Sequence, residues 1–172
     1  MSVFREDGTF IRAIGHGELH YPSDVLVHSS GLVYVADGSN QRIAVFSQEG
    51  ELVRTFGPEE GEFNHPSGVA VSPGDHHLYV SDEDRKRVKV FTLEGRYDRK
   101  FGISNLKCPR GLTVTSNDSV LVADKDNNCV VVFDSYGSLV HSIAVEDPTG
   151  LAVDSWGKLL VTSFRNKCVY YI

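Results

Sequence analysis

The chain has 172 residues, 41% of them hydrophobic and 23% charged, and a formal net charge of −6. That balance supplies enough apolar material for a packed core and excludes a disordered polymer, while the acidic mean argues against a generic polyanion binder. Three cysteines make no disulfide framework and read as reduced thiols of a cytoplasmic protein. No apolar run approaches ~18 residues, so no membrane partner is expected, and the start MSVFREDGTF lacks the basic and apolar regions of a secretion signal.

In chain order, residues 3–15 (VFREDGTFIRAIG) read as the end of one strand, a hairpin and a complete following strand. From there one pattern is written four times. It opens on Pro22, Pro66, Pro109 and Pro148, at spacings of 44, 43 and 39 residues. The first strands of the copies are VLV (25–27), GVAV (68–71), GLTV (111–114) and GLAV (150–153). Glycine at the head of three of them permits a close backbone approach near a central axis, and Asp24 makes the first copy atypical. Short turns rich in Gly, Ser and Asp lead to second strands LVYVAD, HLYVSD, VLVAD and LLVTS, which end at Asp37, Asp82, Asp124 and Ser163. Third strands RIAVF, RVKVF, CVVVF and CVYYI follow, and fourth strands LVRTFG, YDRKFG and LVHSIA complete the first three copies.

Recurrence of a β-rich unit at about 43 residues means propeller blades, so the fold class is all-β: a propeller of about four four-stranded antiparallel blades. Residues 1–15 form the end of a preceding blade, 20–57, 64–102 and 106–143 are full blades, and 146–172 is an incomplete last blade. An arc of a larger ring is favoured over four-blade closure, because Val3-Phe4 and Tyr171-Ile172 both occupy a third-strand position. In the closed alternative, Phe10, Ile11 and Ile14 would complete the last blade. An open arc leaves two blade faces bare, so self-association through them is expected.

At VYVADGSNQRIAVF (33–46), with HPSGVAV (65–71) and RTFG (54–57), the chain resembles the NHL repeat. The turn reads Asn40-Gln41-Arg42-Ile43, Asn127-Asn128-Cys129-Val130 and Asn166-Lys167-Cys168-Val169, and departs in the second copy as Arg85-Lys86-Arg87-Val88. The resemblance implies part of a six-bladed ring, similar to the C-terminal recognition part of tripartite-motif–NHL and other RING-type ubiquitin ligases. It implies a non-catalytic module that binds protein partners for ubiquitination and proteasomal turnover. Two alternatives follow from the same family: an RNA-binding propeller in post-transcriptional regulation, and a zinc lyase acting on peptidyl-hydroxyglycine. No cofactor or metal is assigned to this chain, since its histidines do not recur in register, and no catalytic residue is named.

Propeller geometry puts the second-to-third turns and the fourth-to-first connections on one face, the top. The hairpins joining first to second and third to fourth strands lie on the bottom. The top collects Arg42, Arg85, Lys86, Arg87, Lys125, Arg165 and Lys167 as candidate ligand-binding cations, for RNA or an acidic peptide. They are mixed with Glu18, Glu59, Glu60, Glu62, Glu83, Asp84, Asp126, Glu146 and Asp147. The bottom carries Asp7, Glu49, Glu51, Asp75, Glu94, Asp118, Asp134 and Asp154 against Arg96 and Lys158, so it is acidic. Asp37, Asp82 and Asp124 recur in register and read as structural residues accepting from the backbone N–H groups of their own turns. Lys89, between Val88 and Val90, is expected to alternate outward into solvent.

Overall fold

A computed structural model describes residues 1–57 and 63–172; Glu59, Glu60 and Glu62 lie outside the described residues. A two-stranded hairpin, β1 (Ser2–Phe4) and β2 (Phe10–Ala13), precedes the first blade. That blade is the sheet β3 (Pro22–Val27), β4 (Val33–Asp37), β5 (Arg42–Phe46), β6 (Leu52–Phe56). The second is β7 (Pro66–Val71), β8 (Leu78–Asp82), β9 (Arg87–Phe91), β10 (Tyr97–Phe101). The third is β11 (Pro109–Val114), β12 (Val120–Asp124), β13 (Cys129–Phe133), β14 (Leu139–Ala144). The fourth has three strands, β15 (Pro148–Val153), β16 (Leu159–Ser163) and β17 (Cys168–Tyr171). Every pairing is antiparallel between consecutive strands.

The second strands β4, β8 and β12 are buried at every residue. Their continuous apolar runs follow from position, because a blade is covered on both faces by its neighbours and leaves no solvent side to alternate with. One apolar cluster fills each interface. Tyr34, Ile43, Val45, Phe63, Val80 and Phe91 lie between the first and second blades. Tyr79, Val88, Val90, Phe101, Val122 and Phe133 lie between the second and third.

The inner strands approach closely where glycine was read. A Cβ on Gly68 would sit 2.7 Å from the Arg110 carbonyl oxygen, and one on Gly111 2.7 Å from that of Thr149. Asp24 puts a carboxylate at this place in the first blade, and it accepts from Val25 N (2.8 Å) and, across the interface, Val69 N (2.9 Å). Hydroxyls after the opening prolines add a second tie: Ser23 Oγ donates to Pro66 O (3.0 Å) and Ser67 Oγ to Pro109 O (2.9 Å). An arginine of each outer strand makes a third, since Arg12, Arg54 and Arg99 donate to the carbonyls of Glu49, Leu93 and Ser135 in the next blade's hairpin.

The blades form an arc. The hairpin β1–β2 stays a separate two-stranded sheet, and Ile14 beyond it is buried with Val33, Val35 and Phe46 of the first blade rather than completing the last. Among the described residues, strand β17 pairs with β16 alone. Apolar side chains stand exposed at both ends: Phe4, Phe10, Ile11, Val25 and Val27 at one, Val169, Tyr170, Tyr171 and Ile172 at the other.

Lys89 corrects the expectation of outward alternation: it is 1% exposed. It lies opposite Val80 in β8 and Lys100 in β10, at the register position held by Ala44 and Val131 in the neighbouring blades. Both faces of β9 are covered, so alternation there chooses between two interfaces and not between core and water. Nζ sits 4.6 Å from the centre of the Phe63 ring and has no hydrogen-bond partner among the described residues. Burial, aided by the Arg87 charge, pushes the ammonium down to about 8.

Candidate recognition face

The top rim is built from one tight turn repeated four times. Gln41, Lys86, Asn128 and Lys167 each adopt a left-handed backbone, with φ of 55°, 54°, 51° and 51°, and each N–H bonds back three residues, to Gly38, Glu83, Lys125 and Phe164. Asn is among the residues that tolerate this conformation best; lysine at two of the four tips carries a cation there at some conformational cost.

Beneath the turn sits the recurring aspartate, fully buried in the first three copies. Asp37 accepts from His20 N (2.7 Å), Asn40 Nδ2 (2.8 Å) and Arg42 Nε (2.8 Å). Asp82 accepts from Asn64 N and His65 N, and from Arg87 Nε at 3.2 Å. Asp124 accepts from Lys107 N, Cys108 N (2.7 Å) and Asn127 Nδ2. Their backbone donors therefore lie in the connector entering the blade, two residues or one before its proline, and not in the turn itself. That corrects the sequence reading of the donors: the carboxylate stitches two separated segments together. In the fourth copy Ser163 Oγ donates to Glu146 O (2.6 Å), and Asp147 takes over as acceptor for Arg165 N (2.8 Å).

This arrangement sorts the candidate cations. Arg42 and Arg87 are drawn inward, their side chains 22% and 12% exposed against the fully buried Asp37 and Asp82. Arg42 Nη2 also donates to Glu18 O at 2.8 Å. Each guanidinium is paired with the buried carboxylate beneath its turn. Lys125 Nζ lies 4.0 Å from Asp147, and Arg165 pairs with Glu146 at 3.3 Å. Arg85, Lys86 and Lys167 are exposed on the turns.

Two of the concavities on this face gather polar side chains. A groove of about 470 Å³ between the third and fourth blades is lined by Lys125, Asp126, Asn128, Asp147, Phe164 and Arg165, with the Phe164 ring 77% exposed. An axial cavity of about 250 Å³ is lined by inner-strand residues including Ser23, Asp24, Ser67, Arg110 and Thr149. Beside the axial cavity, Glu83 receives Arg110 Nη2 at 2.7 Å and faces His65 Nδ1 at 3.3 Å, with the Cys108 thiol donating at 3.4 Å. Burial pushes that thiol up to about 11. Strand order assigns Arg110, Glu83, His65 and Phe164 to this face, although the pattern does not single them out as ligand-binding residues. Arg110 carried a signal, standing after Pro109 where Ser23, Ser67 and Thr149 follow the other prolines. Among the described residues no group of three or more His, Cys, Asp or Glu is placed to hold a metal.

The NHL repeat family matches residues 19–46, 63–91 and 106–133, the first three turns of this rim with their buried aspartates. The chain carries NHL repeats. This NHL array is 30% identical over 130 residues to Protein brain tumor of Drosophila melanogaster, covering 73% of the chain and 12% of that protein. It is 39% identical over 59 residues to RING finger protein nhl-1 of Caenorhabditis elegans, covering 33% of the chain and 6% of that protein. The array thus spans a small part of the length of both relatives. A streptogramin B lyase structure superimposes with a TM-score of 0.80 at 15% identity, covering 99% of this chain and 57% of that one, a likeness of fold alone.

Proposed function

We propose that this NHL array is a non-catalytic recognition module whose top face binds a protein partner, as the substrate-binding end of a cytoplasmic ubiquitin-ligase-like protein. The observation that carries the reading is the groove with Phe164 exposed beside Arg165, set among charges that already have partners. Aromatic and arginine side chains are the usual anchors of protein interfaces. A phosphate-binding surface relies instead on cations free to displace counterions. Here Arg42, Arg87, Lys125 and Arg165 each face a carboxylate, which favours a protein over an RNA. The RING finger in the name of the nematode relative supports the ligase context.

The test captures partners from cells with the full-length protein and with its Phe164→Ala, Arg165→Ala and Lys86→Ala variants, then supplies ubiquitin with its activating and conjugating enzymes. The reading expects a partner that the variants lose and that only the unaltered protein modifies. A partner retained by all three variants would overturn it. So would RNA binding whose salt dependence falls on removing Lys86 and Lys167, with no protein partner depending on them.

A further inference from the structure

The copies of the array serve as controls for one another, and on the bottom face two equivalent interfaces differ. Between the first and second blades, His28 Nε2 lies 3.1 Å from Asp75 Oδ2 in the next blade's hairpin, and Ser29 Oγ donates to the same oxygen at 3.2 Å. Below them the Tyr34 hydroxyl and Arg54 both donate to Leu93 O, at 3.2 and 2.8 Å. That interface is closed.

Between the second and third blades the hairpin hydrogen bonds fix the equivalences. Gly31, Asp75 and Asp118 donate their N–H groups to the carbonyls of His28, Ser72 and Thr115. Ser72 therefore stands for His28, Pro73 for Ser29, and Asp118 for Asp75. Ser72 is too short to cross the interface, and its hydroxyl accepts from His77 N at 3.0 Å. Pro73 has no side-chain donor. Asp118 thus lacks both partners that occupy Asp75, and a cleft of about 360 Å³ remains, lined by Pro73, His76, His77, Tyr79, Asp118 and Tyr136. At its rim Tyr136, 84% exposed, takes the place before the hairpin glycine that Glu49 and Glu94 hold in the earlier blades.

The chemistry of this cleft selects a cation. Arg99 is committed to Ser135 O at 2.6 Å and to Asp98, which also faces His77 Nε2 at 3.6 Å. Also lining the cleft are the His76 imidazole, the Asp118 carboxylate, the exposed Tyr136 ring and a floor of Tyr79 and Pro73. A guanidinium or ammonium gains from a carboxylate and from an aromatic face together, and its methylene stem from the apolar floor. The surrounding hairpins add exposed Asp75 and Glu94, which would repel a nucleic acid. We propose that this bottom cleft receives an arginine or lysine side chain from an extended segment of a protein, with Asp118 taking the charge and Tyr136 the flat face. The site lies opposite the top rim and does not rest on the function proposed for it.

The experiment titrates the isotopically labelled 172-residue chain with acetyl-Gly-Arg-Gly-amide, using the Gln and Glu tripeptides as controls, and follows the amide resonances of 72, 74–79, 118 and 136. The arginine tripeptide should give saturable shifts confined to the cleft. Asp118→Asn should weaken it about tenfold, and Tyr136→Ala about threefold. The pair Ser72→His and Pro73→Ser transplants the closing contacts of the first interface and should abolish binding. If that pair does not fold, Asp118→Asn decides alone, since the exposed Asp118 side chain is not part of the core. Equal shifts with the Gln tripeptide, no effect of Asp118→Asn, or no saturation up to the solubility limit would each overturn the proposal. Phe164→Ala and Lys86→Ala on the top face should leave the titration unchanged.

Discussion

The second and fourth blades are written in the same repeat pattern and buried very differently. In β8 every residue is buried, and β9 is buried after its first residue; in β16 burial is interrupted, and all of β17 is exposed. The second blade has a blade on each face, whereas among the described residues β17 pairs with β16 and with no fourth strand. An NHL blade therefore does not carry its own core. Each apolar cluster belongs to an interface, so the stability of a repeat depends on its neighbours as much as on its own strands.

Equivalent substitutions in the two blades should sharpen that contrast. The largest effect is expected for Phe91→Ala. Phe91 is fully buried against Phe56, Phe63 and Tyr97, and its loss should cost about 3–5 kcal/mol in urea unfolding. Ile172, at the same place in the fourth copy, is 48% exposed, and its change to Ala should cost less than about 1 kcal/mol. Equal costs would show that the last blade is as fully packed in solution as the second.

Next comes the buried aspartate. Asp82→Ala removes the acceptor of two main-chain N–H groups and the carboxylate paired with Arg87, a loss of about 3 kcal/mol. Ser163→Ala in the fourth blade should cost only about 1 kcal/mol. A double-mutant cycle of Asp82→Ala with Arg87→Ala should show strong coupling; additive losses would mean that the two residues do not act as a pair.

Lys89 gives a smaller change of opposite sign. Its folded pKa of about 8 lies below the ordinary 10.5, so folding disfavours the charged form. At pH 7 the unfolded chain keeps its proton at no cost while the folded chain holds a buried ammonium. Between pH 8 and 10.5 the unfolded state binds more protons, so this residue's contribution to stability rises with pH. Lys89→Met should therefore stabilise the protein at pH 7, by up to about 3 kcal/mol, and the gain should vanish as the pH approaches 10. The Cys108 thiol, pushed up to about 11, works against this trend in both proteins, so the difference between them isolates Lys89. A pH-independent difference would contradict the burial of the ammonium. The smallest effect belongs to Arg165→Ala: its pair with Glu146 is exposed on both sides, and less than about 0.5 kcal/mol should be lost.

Much of the architecture was legible because strand order, turn chemistry and period are local properties. Pro22, Pro66, Pro109 and Pro148 open the inner strands, and the alignment that placed Asp37, Asp82 and Asp124 in register already marked them as structural. The same alignment contained Arg12, Arg54 and Arg99, each three residues before a glycine, yet their acceptors are main-chain carbonyls in the following blade. A carbonyl has no residue type, so no sequence pattern announces it.

The chain by itself determined an all-β array of repeats, its strands and turns, and which residues break the repeat: Asp24, Lys89, Arg110 and Tyr136. Tertiary structure alone decided what those residues do. Arg42 and Arg87 look like rim cations until the buried carboxylates beneath them draw their guanidinium groups inward. Lys89 obeys the alternation of a strand, but both sides of that strand face another blade. Asp75 and Asp118 are the same residue in the same turn, and only the hairpin across the interface makes one closed and the other open. Local preferences act within a few residues and are written in the chain. The environment of a charge such as Asp24 or Asp75 is set by groups some 45 residues away, and exists only once the blades are side by side.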